Sequence, residues 1–280
     1  MPALPSWLIE PLWNQFVALL PERPEFHPDH PLGCHRRRIS DRIIFDKMLQ
    51  LLRSGCSYEA IADTACSATT IRSRCDEWIR RGVFARLKQI ALDSYDRIVG
   101  PVLDQIAVDA SITKAPGAGE VAGRSPVERG KQGLKRSGMA DGYGIPLGGV
   151  LAGANRHDSP PLAPTLDRLD DLGPLPVDVA VHLDAGYDSD KTRALLNERG
   201  LHCRIVHKGE KAPIQASQRW HVERTHAWQN AFHRFARCYE RQATVIDAFF
   251  DLADTIITVR SLIRQAWTTH RWDERPNRRP

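Results

Sequence analysis

Residues 178–191, DVAVHLDAGYDSDK, decide how the chain is read. Val179, Ala180, Val181 and Leu183 make a short apolar run with the composition of a buried strand, and a Gly-Tyr turn ends it just after Asp184. Ser189 is placed to cap a helix over Lys191–Arg199, Gly200 to stop it, and Leu201–Val206 to form a second strand. The expected unit is β-α-β, with Asp184 at a strand end, where α/β sheets carry their chemistry. An Asp in that place can also simply cap the turn, so acids elsewhere in the chain must decide its meaning.

Upstream, QIAVDASITK at 105–114 turns from helical to strand-like periodicity and sets Asp109 between Ile106, Val108 and Ile112. A carboxylate in such a strand is costly to bury without a partner or a metal, unless the position lies on an exposed edge. Downstream, Gln218–Tyr239 reads as one long helix with an apolar face of Trp220, Ala227, Trp228, Ala231 and Phe235. Glu223 lies close to that face among Arg219, Arg224, Arg234 and Arg237. A further amphipathic helix follows over residues 244–266, and 162–172 reads as another helix. Strand Asp, strand Asp, helix Glu is the order that an RNase H-like fold brings together. Such a trio suits phosphodiester chemistry, in which hard oxygen ligands hold two divalent cations about 4 Å apart.

Before residue 100 the pattern is all helical. Residues 4–20 carry Trp13, Phe16, Val17 and Leu20 at helical intervals, and a Pro- and His-rich link follows over Pro21–Pro31. Arg36, Arg37 and Arg38 precede Ser40, a helix cap; Ile44, Met48, Leu51 and Leu52 stripe the next helix, which Gly55 stops. A short helix is expected at Tyr58–Thr64. Ser67 then caps Ala68–Arg80, with Ile71, Cys75, Trp78 and Ile79 inward and Thr69, Thr70, Arg72, Ser73 and Arg74 outward. This is a helix-turn-helix pattern, whose second helix would enter the major groove of DNA. Any three-helix bundle shares the periodicity, and the three arginines serve either as a phosphate clamp or as a solvated face. Phe84–Val99 reads as the helix joining this part to the next.

Residues 115–149 are Gly-rich and carry Arg124, Arg129, Lys131, Lys135 and Arg136; they read as a flexible basic loop that resumes strand structure at Ile145–Leu151. Gly130-Lys131 is not a phosphate loop, because Gln132 stands where Ser or Thr would hold magnesium, so no nucleotide cofactor is expected. His157 and Asp158 read as structural. The net charge of +5 and pI near 9.0, with clustered arginines, point to a polyanionic partner. No apolar run approaches the roughly 20 residues that span a bilayer and no signal-peptide layout opens the chain, so no membrane is expected and the place is the cytoplasm. Cysteines at 34, 56, 66, 75, 203 and 238 stand singly, with neither zinc spacing nor a disulfide framework. The expected division is a helical DNA-binding part over 1–100, a catalytic part over 101–269 and a polar tail over 270–280.

Six segments together, VDAS (108–111), GRSPVERGKQGLKR (123–136), GIPLGG (144–149), ANRHDS (154–159), LDAGYDSD (183–190) and RWHVERTHAW (219–228), resemble the DDE transposases of bacterial insertion sequences, in particular the insertion-sequence-five family. The likeness runs through nearly the whole chain. It implies a fold class of α/β, an RNase H-like mixed sheet flanked by helices, behind an all-α helix-turn-helix-type domain. It implies Asp109, Asp184 and Glu223 as catalytic ligands for two Mg²⁺ ions, with Mn²⁺ able to replace them. Arg219, four residues before Glu223, matches the family's signature Arg. Ala216 stands where a Tyr is often found, and Asn230 and Ala231 stand where a basic residue is expected, with Arg234 one turn later as a substitute. The implied activity is binding of terminal inverted repeats in double-stranded DNA, cleavage at their ends and joining of the 3′-hydroxyls to target DNA, by a homodimer on bacterial nucleoid DNA. The DNA-contacting set is then Arg36, Arg37, Arg38, Thr69, Thr70, Arg72, Arg74, Arg129, Lys131, Lys135, Arg136, Arg219, Arg224 and Arg234. Two other readings stay open: a relic that binds DNA without cutting it, and a metal nuclease without strand transfer.

Overall fold

The computed structural model describes residues 3–22, 37–205 and 219–269. Arg36, Ala216 and the 270–280 tail lie outside the described residues, as do most of the link after Pro21, Val206 and the expected helix start at Gln218.

The sheet is mixed. Strand β1 (Gln105–Lys114) pairs antiparallel with β3 (Gln132–Ala140), which pairs antiparallel with β4 (Pro146–Gly153); the two-residue β2 (Gly123–Arg124) joins the start of β3. On the other side of β1, β5 (Ala180–Leu183) runs parallel to it and β6 (His202–Ile205) parallel to β5. Across the sheet the order is β4-β3-β1-β5-β6, three antiparallel strands and then two parallel ones, the RNase H-like arrangement expected. Helix α6 (Ser159–Leu166), continued by a tighter turn over Asp167–Leu172, links β4 to β5, and α7 (Asp190–Glu198) links β5 to β6. The β-α-β unit forms for the local reasons its sequence gives: Ser189 Oγ accepts the Thr192 N–H, and Gly200 takes φ +67 to leave the helix.

The N-terminal helices are α1 (Ser6–Ala18), α2 (Asp41–Ser54), α3 (Tyr58–Ile61), α4 (Ala68–Arg80) and α5 (Val83–Ile98). Ser40, Ser57 and Ser67 cap α2, α3 and α4 through their hydroxyls. Helix α1 buries Leu8, Ile9, Leu12 and Phe16, while Val17, expected inside, is 42% exposed. The core of these helices is continuous with the C-terminal α10 (Ala243–Thr269): Phe16, Phe45, Trp78 and Phe84 share one apolar cluster with Phe249, Leu252 and Ile256. A second cluster, with Val108, Val181, Leu162 and Leu196, fills the space between the sheet and α6 and α7.

The basic stretch is not one loop from 115 to 149, because β3 runs through the middle of the sheet. Its Lys135 and Arg136 are both buried, which is tolerable only because acids distant in sequence meet them. Nor is 218–239 one helix. Helix α8 (Trp220–Asn230) ends before Phe232, whose extended backbone separates it from the single turn α9 (His233–Ala236), and Cys238 N–H then donates to Lys114 O at 2.8 Å. The buried face of α8 is also not the aromatic one: His221, Val222, Thr225, His226 and Gln229 point inward, while Ala227 and Ala231 are exposed.

Candidate active site

Asp109 sits near the middle of β1, opposite Gly138 of β3. The parallel register pairs Ala107 with His182, so two residues further along Asp184 leaves β5 beside Asp109. Helix α8 crosses this end of the sheet so closely that a Cβ on Gly138 would stand 2.9 Å from the His226 ring. Only glycine permits that approach, and it brings Glu223, in the first turn of α8, to the same place. The first turn is also where a helix dipole favours a carboxylate.

One cation joins the acids. Arg219, at the cap of α8 and largely buried, places Nη1 3.3 Å from Asp184 Oδ1 and Nη2 3.4 Å from Glu223 Oε1. Asp109 is pushed up to about 6, first by burial, with Asp184 and Glu223 adding to the rise and Arg219 opposing it. Asp184 and Glu223 are thus tied to one guanidinium, and the Asp109 carboxyl feels both acids and the arginine. Among the described residues no three His, Cys, Asp or Glu side chains close to a common metal-holding distance. The donor chemistry nonetheless fits a hard divalent cation: all oxygen and mutually repelling, with Asp184 and Glu223 around one arginine. Arg219→Ala is expected to lower stability at neutral pH by roughly 0.5–1 kcal/mol, a small figure because Asp184 and Glu223 are partly solvated. Thermal unfolding with and without salt checks it, since the loss shrinks as salt screens the acids.

Behind Asp109 runs a buried polar chain that sequence reading missed. His226 Nε2 lies 3.4 Å from Asp109 O and its Nδ1 3.3 Å from Gln229 Oε1; Gln229 Nε2 donates to Asp254 Oδ1 at 2.6 Å, and Arg136 Nη2 donates to Asp254 Oδ2 at 2.7 Å. Burial holds His226 below the ordinary histidine range, against the pull of Gln229 Oε1 and Asp109 O, which favour a protonated ring. A partial signal was present: Asp254 is one of three acids, with Asp247 and Asp251, in the otherwise apolar first half of α10.

The expected DNA-contacting residues divide sharply. Arg37, Arg38, Thr69 and Arg72 are exposed on the helical part, Arg38 paired with Glu77 and Arg72 over the Tyr58 ring at 4.9 Å; Thr70 is half-buried under the Ser67 cap. Arg129 and Lys131 are exposed in the turn before β3. Arg74, expected outward, is a correction: it is buried against Asp41 and Glu77, tying α4 to the start of α2. Lys135 is likewise buried, donating to Asp158 and to Arg156 O, and Arg136 is held by Asp254 over the Phe250 ring. Arg234 is buried on Glu240 and Cys56 O between the Tyr58 and Phe249 rings. None of these four presents its charge to a surface. Arg224 is half-buried, its guanidinium 4.3 Å from the Trp220 ring and 4.8 Å from the Trp228 ring.

Residues 100–250, which hold all three acids, match the model of the transposase DDE domain, and residues 8–88 match a model for candidate transposases of the IS4/5 family. A curated protein of Burkholderia cepacia, named as a candidate transposase for insertion sequence element IS402, is 34% identical over 148 residues, 51% of this chain and 70% of that protein. Among solved structures, a Mos1 transposase paired-end complex with the left transposon end aligns over 94% of this chain and 88% of its own, at 12% identity and a TM-score of 0.29. A pre-cleavage Mos1 transpososome aligns over 92% and 88%, at 11% identity and a TM-score of 0.28.

Proposed function

Since this chain belongs to the family of transposases with a DDE domain, we propose that it cuts double-stranded DNA at the terminal inverted repeats of an insertion sequence and joins the freed 3′-hydroxyls to target DNA. Asp109, Asp184 and Glu223 are the ligands for Mg²⁺, or Mn²⁺ in its place, two ions to a site. Ions held there would supply Lewis-acid activation of the attacking oxygen and stabilisation of the leaving one. The chain's own residues do the rest. Arg219 balances the acids, Gly138 admits α8, and His226 sits against the carbonyl of Asp109. Residues 1–100 grip the repeat through the exposed Arg37, Arg38, Thr69 and Arg72, and Arg129 and Lys131 reach the backbone beside the catalytic part, residues 101–269. The working form is a homodimer that pairs two ends.

The observation that carries this reading is the single guanidinium within 3.4 Å of both Asp184 and Glu223, beside an Asp109 whose carboxyl feels both acids. The test is incubation of a labelled duplex bearing the DNA ends that flank this gene with protein, with and without Mg²⁺, followed by strand analysis. Metal-dependent nicks at the repeat boundary and joined products are expected. Specific binding without nicks in any metal would leave a DNA-binding relic, and nicks without joining would leave a nuclease.

A further inference from the structure

A second cationic site lies on the other flank of α8. Arg224, Trp228, Tyr143, Arg260, Arg264 and Gln265 line an open cavity of about 270 Å³ between α8, the β3–β4 turn and α10. Arg260 and Arg264 are one turn apart on α10. Trp228 has the Arg224 guanidinium 4.8 Å and the Arg260 guanidinium 5.6 Å from its ring. Arg53, at the end of α2, adds its charge nearby while donating to Ala231 O.

The unusual feature is the missing acid. Elsewhere arginines meet carboxylates, as Arg42 meets Glu10 and Asp46, and Arg193 meets Asp188. Among the described residues no carboxylate pairs with Arg260 or Arg264, and none lines this cavity. The acid that Arg224 feels is Asp141, fully buried, with its oxygens taken by the N–H groups of Val102, Tyr143 and Ile145. Burial and the neighbouring arginines hold Arg260 below its ordinary value. Like charges gathered without counter-charge around an aromatic plate cost stability, and an arriving anion relieves that cost. Glu223 and Arg224 are consecutive, so the cavity and the acidic centre open on two flanks of one helix.

We propose that this cavity is a phosphate-binding station for the DNA backbone, separate from the acidic centre, with Arg260 and Arg264 as its phosphate ligands and Arg224 and Trp228 as its wall. The inference rests on the transposase reading and adds to it where the DNA runs. The test is binding of the labelled end duplex by wild type, Arg264→Gln, Arg260→Gln/Arg264→Gln and the charge-keeping Arg260→Lys/Arg264→Lys, from about 50 to 200 mM salt. The slope of log affinity against log salt is expected to fall by about one for Arg264→Gln and about two for the glutamine pair, which also loses roughly tenfold or more in affinity at low salt, while the lysine pair keeps the slope. Arg264 is exposed, so its single variant stays informative even if the double variant folds poorly. If wild type binds and nicks the ends and the glutamine variants match its slope, the station is refuted and the transposase reading stands. If wild type neither binds nor nicks, both fall. In a parallel arm with inorganic phosphate alone, thermal stabilisation of wild type but not of the glutamine pair, with unchanged DNA slopes, would make the cavity a free-anion site and overturn its assignment to DNA.

Discussion

Asp109→Asn is expected to do two opposite things: end strand cutting and make the metal-free protein more stable. The loss of cutting is expected to be on the order of 10³-fold or more, since one of three oxygen ligands is lost and the contribution of metal to such displacements is several kcal/mol. The gain in stability follows from the carboxyl's position. Burial and two neighbouring acids raise it to about 6 from an ordinary 3.8. Between those values the folded chain holds a proton that the unfolded chain has released, so stability falls as pH rises from about 4 to about 6 and stays low above. Asparagine has no such charge to bury, so the variant should melt higher than wild type near neutral pH and match it below about pH 4. The gain is expected to be on the order of 2 kcal/mol. Nicking of the end duplex and thermal unfolding across pH, both with wild type alongside, check the two halves. A variant that still cuts removes Asp109 from the catalytic set. A variant that loses cutting together with stability would mean Asp109 holds the fold rather than the chemistry.

What could be read from the sequence, and what could not, divides along a physical line. The β-α-β unit, the Ser40 and Ser67 caps and the whole of β1 follow from signals within a few residues, and each was legible. Asp109, Asp184 and Glu223 were legible as acids set against apolar runs, Asp109 within a strand, Asp184 at a strand end and Glu223 on a helix; their joint role as metal ligands is proposed. Most of the failures among the basic residues involve charge whose partner lies far along the chain. Lys135 and Arg136 look solvated in GLKRSG, and nothing near them reveals that Asp158 and Asp254 will cover them. Arg74 looks like a DNA-reading residue until α2 swings Asp41 across it. The α8 face was misjudged because its buried side carries histidine, threonine and glutamine that satisfy one another and the β3–β4 turn, Thr225 Oγ1 donating to Gly144 O at 2.7 Å. Periodicity counts apolar residues; it cannot see a polar residue buried by a remote partner.

Asp254→Ala should show how much such a remote pair is worth. Asp254 is fully buried and accepts from both Arg136 and Gln229. Its removal leaves the Arg136 guanidinium inside the protein with only the Phe250 ring, 3.9 Å away, in place of a carboxylate, and its Nε and Nη1 already lack partners. The expected loss is about 3–5 kcal/mol, most of it the cost of an uncompensated buried charge. Urea unfolding measures it. Removing both partners, as Arg136→Met/Asp254→Leu, is expected to recover a large part of that loss, because the desolvation cost goes with the charge. The same variants separate two roles for Arg136. A phosphate contact would lower the salt slope of DNA binding in Arg136→Met, whereas a buried strut leaves the slope alone and moves only the unfolding midpoint. Burial favours the strut: at 5% exposure Arg136 has no surface to offer a phosphate. The strut ends, through Gln229 and His226, at the carbonyl of Asp109, so a partly folded Asp254→Ala protein should also cut more slowly than its folded fraction accounts for.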